Sequence, residues 1–219
     1  KKSIVSLVLA ISFSFQILAQ QSAIYTSSLV DYQKALTLYN NQQYRAAQSM
    51  FSSVKKTAKE DILQSNCAYY IANSAVRLNQ QNADQLIENF VKEYPTSTKR
   101  NTAFVDVADY YFENSKYAYA RKWYNKVDED ALGRKEREKF YFNNGYTAFA
   151  TKQYKDAKKY LSKVENSPEF GAQAKYYIGF MDYDGDDYDK ANEYFEQVSD
   201  QERYKEKLSY YQADLNFKL

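Results

Sequence analysis

The stretch YAYARKWYNKV, residues 117–127, decides the fold of this chain. Its Tyr117, Ala120, Tyr124 and Val127 follow one another at intervals of three, four and three residues, which places all four on one face of an α-helix. The stretch therefore predicts one amphipathic helix that packs through this face. The same pattern of tyrosine, alanine, a bulky residue and valine recurs at residues 44–54, 154–164 and 188–198.

The spacing of these copies indicates a repeat protein. The last three copies begin 37 and 34 residues apart, and 73 residues separate the first two, which leaves room for one further copy. A period in the mid-thirties built from helical spacings is typical of stacked helix pairs in which no pair has a complete core. With only 5 glycines and 2 prolines in 219 residues, few turns are expected. We therefore predict an all-α fold of helix-turn-helix repeats.

The residues before this stretch predict the first helix of the same repeat. Phe104, Val107, Ala108 and Tyr111 form a second helical stripe. Ala108 and Ala120 are the small residues at which the two helices are expected to cross closely. This unit resembles a tetratricopeptide repeat with Ala108 in place of the usual glycine, and the resemblance implies a right-handed α-solenoid that holds other molecules.

The resemblance covers residues 24–219 and implies five repeats followed by the first helix of a sixth. The second repeat is predicted to be degenerate, because Leu86 stands where a small crossing residue is expected and two additional residues enter near Gln80. Since the pattern stops after one helix, we expect further repeats of the same chain, or a partner, to cover that end. The repeats are predicted at 24–60, 61–98, 99–132, 133–169 and 170–202, with the additional helix at 203–219.

Residues 1–20 have the layout of a secretory signal peptide. Lys1 and Lys2 precede an apolar run from Ile4 to Leu18, and Ala19 supplies a small residue for cleavage. An uncleaved membrane anchor is the alternative interpretation. After residue 21 no apolar run is long enough to span a bilayer, so we expect an exported chain that is periplasmic or associated with the outer membrane. In this region and in its Tyr-rich repeats the chain resembles exported tetratricopeptide proteins of Bacteroidota.

The residue inventory argues against an enzyme. The chain has no histidine, which removes the commonest general base and metal ligand, and its single cysteine, Cys67, cannot form an internal disulfide. Cys67 is expected to be a partly buried small side chain rather than a reactive thiol. The net charge of +2 gives no support for a nucleic-acid partner. We expect a non-enzymatic protein without cofactors.

One acidic run is similar to a calcium-binding loop. Residues 182–187 read DYDGDD, with Glu193 eleven residues after Asp182, but Asp187 stands at the sixth position, where such a loop requires glycine. The repeat pattern accounts for the run as a helix end, a turn and a new helix start, where acidic residues are favourable. We therefore expect no metal site in this run.

The resemblance also implies where a partner binds, because the first helix of each tetratricopeptide pair lines the concave wall of the array. The wall predicted in this way is rich in rings, which suits an extended peptide or a partner helix from a cell-envelope complex. A glycan-binding module of an outer-membrane uptake system is the alternative, since sugars stack on tyrosine. The predicted partner-binding residues are Tyr32, Tyr39, Tyr69, Asn73, Asp109, Phe112, Phe142, Asn143, Tyr146, Phe149, Tyr176, Phe180 and Tyr183.

Overall fold

The computed structural model describes residues 27–219, and within them it contains α-helices, two short 3-10 turns and no strand. The predicted all-α fold is confirmed. The predicted signal peptide lies outside the described residues. The helices are α1 (residues 27–40), α2 (Tyr44–Thr57), α3 (Asp61–Arg77), α4 (Ala83–Glu93), α5 (Arg100–Glu113), α6 (Tyr117–Tyr124), α7 (Arg134–Ala150), α8 (Tyr154–Leu161), α9 (Gly171–Asp184), α10 (Tyr188–Glu196) and α11 (Glu202–Lys218).

The helices form five consecutive hairpins, α1–α2 to α9–α10, followed by α11. Each of the five predicted repeat intervals contains one hairpin. The chain divides into two compact units, of which unit 1 ends at Ala103 and unit 2 runs from Phe104 to Leu219. Among the helices of the described chain, none combines the length and the apolar character needed to cross a bilayer.

The two helices of a hairpin meet at small residues. If Gly145 of α7 carried a Cβ, that atom would lie 2.8 Å from Cγ of Leu161 in α8, and a Cβ on Gly179 of α9 would lie 2.8 Å from the ring of Phe195 in α10. These distances are too short for real contacts, so the helix axes approach as closely as glycine allows. On the second helix the matching small residues are all buried: Ala47, Ala83, Ala120, Ala157 and Ala191.

In the second repeat, the predicted crossing at Leu86 and the predicted insertion near Gln80 are wrong. Ala83, with 3% exposure, occupies the crossing position, and Leu86 lies partly exposed beside it. Ala83 follows Ala47 by 36 residues and precedes Ala120 by 37, so no insertion is present. The pattern was hidden because α4 begins at Ala83 itself, and Gln80 replaces the tyrosine that opens the second helix elsewhere.

Each hydrophobic core is shared between neighbouring hairpins. In unit 1, Phe51 and Val54 of α2 pack in one cluster with Leu63 and Cys67 of α3. In unit 2, Phe195 of α10 belongs to a cluster with residues of α11. Because a hairpin completes its core with the next helix, the helices within each unit stack in chain order. In α11 the covering residues are Tyr204, Leu208 and Leu215.

The turn inside every hairpin contains one residue with positive φ, and none of these residues is glycine. They occupy equivalent positions, with φ between 53° and 61°. The following residue donates its backbone N–H five residues back, as Gln153 does to the carbonyl of Ala148 at 2.8 Å, which closes the first helix. The left-handed conformation costs about 1–2 kcal/mol for a residue with a Cβ. The five residues are Gln42, Asn79, Ser115, Lys152 and Asp186.

Polar pairs also join one hairpin to the next. In each pair, one partner directly follows the crossing alanine of a second helix in the sequence. Gln48 and Gln80 exchange two amide hydrogen bonds of 3.1 and 2.9 Å in unit 1. In unit 2, the buried Arg121 donates to Gln153 at 2.7 Å. Arg121 also pairs with Asp156, and Lys158 pairs with the buried Asp182. We call these contacts the polar latches, and each has a different chemistry.

Replacing the crossing alanine in Ala157→Leu should lower the free energy of unfolding by about 1–3 kcal/mol, because the larger side chain overfills the contact between α7 and α8. Urea unfolding monitored by circular dichroism measures the loss. The exposed Ala150→Leu is the control and should change stability little. An unchanged midpoint for Ala157→Leu would contradict the crossing described above.

Lys152→Gly should raise the free energy of unfolding by about 0.5–1 kcal/mol, because glycine relieves the left-handed backbone at this exposed turn. The matched control is Lys155→Gly, two residues into α8 and equally exposed. There glycine should cost about 1 kcal/mol. The opposite signs, measured by the same urea titration, test the turn geometry; equal signs would refute it.

Candidate partner-binding surface

Five of the predicted partner-binding residues are buried in the free protein. In unit 1, Tyr32 packs edge-on against Phe51, and Asn73 donates to the hydroxyl of Tyr69 at 3.3 Å. In unit 2, Phe142 stacks on Phe170 with ring centres 4.9 Å apart. These side chains fix the positions of the helices. The five buried residues are Tyr32, Tyr69, Asn73, Phe142 and Asn143.

Asp109 is the centre of a hydrogen-bond network inside unit 2. Its carboxylate accepts from the hydroxyl of Tyr124, from Nζ of Lys139 at 2.7 Å and from Nδ2 of Asn143 at 3.1 Å. Burial, followed by the charge of Asp109, raises the pKa of Tyr124 above its usual value. Burial alone would lower the pKa of Lys139, but the hydrogen bond to Asp109 raises it. The network joins α5, α6 and α7.

The remaining predicted rings of unit 2 belong, with one exception, to a continuous strip. Neighbouring ring centres along it lie between 4.8 and 6.2 Å apart. Every ring in it is partly exposed. We call this strip the aromatic seam, and it consists of Phe112, Tyr117, Tyr146, Phe149, Tyr154, Tyr177, Phe180, Tyr183, Tyr188 and Tyr211.

The exception is Tyr176, whose ring stacks on Tyr204 of α11 at 4.9 Å. The adjacent Tyr177 belongs to the seam instead, since its ring centre lies 5.0 Å from that of Tyr146 and 4.8 Å from that of Phe149. Tyr176 stands 34 residues after Phe142, which also lies outside the seam. A one-residue change rotates a side chain by about 100° around a helix.

The seam includes ring pairs that bridge the turn of a hairpin. In each pair the first ring lies in the last turn of the first helix, and the second ring, five residues later, opens the second helix. The second rings also belong to the helix-packing pattern of the repeat, so their place at the surface was not predicted. The recurring five-residue spacing was the signal. The pairs are Phe112/Tyr117, Phe149/Tyr154 and Tyr183/Tyr188, with centres 5.9, 6.0 and 5.8 Å apart, and unit 1 has an equivalent pair, Tyr39/Tyr44, at 5.4 Å.

Burial and hydrogen bonds raise the pKa of individual phenols in the seam. Burial, with hydrogen bonds to Tyr117 and Tyr177, raises the pKa of Tyr146. The hydrogen bond to Asp214 raises the pKa of Tyr183 to about 12. The seam therefore offers rings and hydroxyl groups to a ligand, and at its α11 end these lie beside the charged side chains of Asp214 and Lys218.

Two aspartates of the acidic run that is similar to a calcium loop form ion pairs with lysines. Asp182 is buried against Lys158, and Asp187 pairs with Lys190. Within residues 27–219 no group of three or more Asp, Glu or Cys side chains could hold a metal ion. Cys67 is fully buried, where partial burial was expected, and burial raises the pKa of its thiol to about 12.

Comparisons with known proteins agree with this fold. A family model of the tetratricopeptide repeat matches residues 67–97, which include most of α3 and all of α4. The chain is similar to the nearly identical TPR-like repeats of a Podosopora anserina protein assigned as a kinesin light chain. The TM-score is 0.56 and the identity 16%, over 77% of this chain and 92% of that one.

A weaker similarity is to Bacillus thuringiensis PlcR in complex with the peptide PapR7 and DNA, at a TM-score of 0.45 and 16% identity, over 83% of this chain and 73% of that one. A search of curated protein sequences gives no match. The first structural similarity and the repeat match show a tetratricopeptide-type fold, which is typical of protein-binding scaffolds.

Asp109→Ala should lower the free energy of unfolding by about 2–3 kcal/mol, because it leaves the buried hydroxyl of Tyr124 without its acceptor. Urea unfolding measures the change. Lys139→Ala removes an exposed partner of the same carboxylate and should cost at most about 1 kcal/mol. If both variants were as stable as the wild type, Asp109 would not support the fold and would remain available to a partner.

Proposed function

We propose that this chain is a non-enzymatic scaffold that binds a protein or peptide partner over the aromatic seam. The seam carries the proposal, because it is a continuous strip of ten partly exposed rings on one unit. Tyrosine and phenylalanine provide wide, rigid contact area at a low cost in side-chain entropy, which is why aromatic residues are enriched in protein interfaces.

The burial pattern supports the seam as the contact surface. In unit 2 the hydroxyl of Tyr124 is buried and bound to Asp109, whereas the ten rings of the seam all keep part of their surface in water. A partner that covers the seam gains the free energy of burying this apolar surface. It does so without rearranging the core, because the rings already brace one another.

We further propose that the scaffold acts in the bacterial cell envelope, as an exported protein of the kind found in Bacteroidota. The layout of residues 1–20 supports export, and the helices of the described chain supply no membrane span. The partner would then be a component of an envelope complex.

A pull-down from envelope extract tests the proposal. Immobilised full-length chain should retain a stoichiometric protein partner, and the double variant Phe149→Ala/Tyr177→Ala should lose it, because both rings lie in the middle of the seam. The matched control is Tyr119→Ala/Tyr210→Ala, which removes two exposed rings outside the seam. Circular dichroism verifies that each variant keeps its helical content.

Two results would contradict this function. One is a partner that the seam variant and the wild type retain equally well. The other is the absence of any protein partner together with retention on polysaccharide beads that the seam variant loses. That second result would support the glycan-binding alternative.

A further inference from the structure

Two of the four ring pairs that bridge a hairpin turn already hold a cation from the same chain. In unit 1 the guanidinium of Arg77 lies 5.7 Å from the ring centre of Tyr39 and 5.5 Å from that of Tyr44, and its Nε donates to the Tyr39 hydroxyl at 2.9 Å. In unit 2, Nζ of Lys218 lies 5.1 Å from the ring of Tyr183 and 4.1 Å from that of Tyr188.

The contact at Lys218 shows what such a pair recognises. Nζ of Lys218 donates to the hydroxyl of Tyr188 at 2.7 Å and lies 3.4 Å from the carboxylate of Asp214, which also accepts from the hydroxyl of Tyr183. An ammonium group is thus bound by two ring faces, one phenol oxygen and one carboxylate. Cation–π attraction and a charged hydrogen bond act together at this position.

At the two central pairs the repeat supplies no cation. Arg77 stands five residues after the crossing residue Ala72, and the equivalent positions of the fourth and fifth repeats hold Ala150 and Asp184. Within the described chain no lysine or arginine lies over the Phe112/Tyr117 or the Phe149/Tyr154 rings. Both pairs remain partly exposed.

The Phe149/Tyr154 pair also has an acidic neighbour. Burial, followed by the charge and hydrogen bond of Asp184, raises the pKa of Tyr154, so this carboxylate lies beside the pair. The combination of two rings and one carboxylate is the set that binds Lys218 at the last pair. The difference is that Asp184 of the fifth repeat stands at the position that Lys218 occupies in α11, so this position holds an acid instead of a cation.

We propose that the pairs Phe112/Tyr117 and Phe149/Tyr154 bind two lysine or arginine side chains of an extended segment of the partner. The inference rests on the proposed function and specifies the chemistry of the segment. The two pairs belong to consecutive repeats, whose stacked helices lie about 8–10 Å apart. An extended chain advances about 3.3 Å per residue, so the two cationic residues stand about three residues apart.

Synthetic peptides test the chemistry directly. A fluorescein-labelled peptide Gly-Ser-Lys-Thr-Gln-Lys-Ser-Gly should bind the full-length chain in an anisotropy titration with protein up to about 1 mM. The same peptide with both lysines replaced by norleucine keeps the side-chain length and loses the charge. Its affinity should be at least about tenfold lower. A glutamate version should not bind.

Variants of the protein test the location. Ala150→Lys and Asp184→Lys place a cation at the position that Arg77 and Lys218 occupy in their repeats. The new lysine should lie over the Phe112/Tyr117 or the Phe149/Tyr154 rings, respectively, and lower the affinity for the lysine peptide about tenfold. Both positions are exposed, so the fold should be retained. Ala131→Lys is the matched control for Ala150→Lys, because it adds the same single charge at the exposed inter-repeat connection and should leave binding within about twofold. Asp184→Lys changes the net charge by two units, so the matched comparison is made with Ala150→Lys.

The results separate this inference from the proposed function. Equal binding of the lysine and norleucine peptides, no binding of the lysine peptide, or an affinity unaffected by Ala150→Lys and Asp184→Lys would each overturn the inference. If the seam double variant still lost its protein partner in those cases, the scaffold function would stand. If that variant kept its partner, the scaffold function would fail instead.

Discussion

The close approach of two helices at small residues is the constraint on which the rest of the structure depends. Gly145 and Gly179 leave no room for a side chain, because Leu161 and Phe195 of the partner helices pack directly against them. When the helices meet this closely, the bulky residues on either side of the crossing interlock, and the next hairpin completes the core. The tyrosines at the turn then fall at equivalent places in successive repeats. The aromatic seam is thus a product of helix packing.

The sequence predicted the helices well because their periodicity is a local property. Tyr117, Ala120 and Tyr124 indicate one face of a helix without knowledge of any distant residue, and the fold follows from repeating that face. The side-chain networks could not be predicted in this way. Asp109 binds Lys139 and Asn143, which lie 30 and 34 residues further along the chain, so its role depends on the packing of neighbouring hairpins.

Features that the sequence did not reveal have a physical reason as well. In the second repeat the helix begins at Ala83, so the tyrosine that marks the other repeats is absent and its alanine was overlooked. On α9, Tyr176 and Tyr177 are adjacent and both partly exposed, and periodicity alone did not decide which one joins the seam. The second rings of the turn-bridging pairs were missed because one tyrosine, such as Tyr154, both opens a helix and belongs to the seam.

The polar latches have a consequence for how such an array can change. The Gln48–Gln80 junction needs two amides, the Arg121 junction needs an amide and a carboxylate, and the Lys158 junction needs a buried aspartate. A hairpin that was duplicated or moved would bring unlike groups together and leave a buried charge unpaired, which is costly. The hairpins of each unit are therefore not interchangeable modules. Lengthening this protein by copying one of them would require the junction residues to change at the same time.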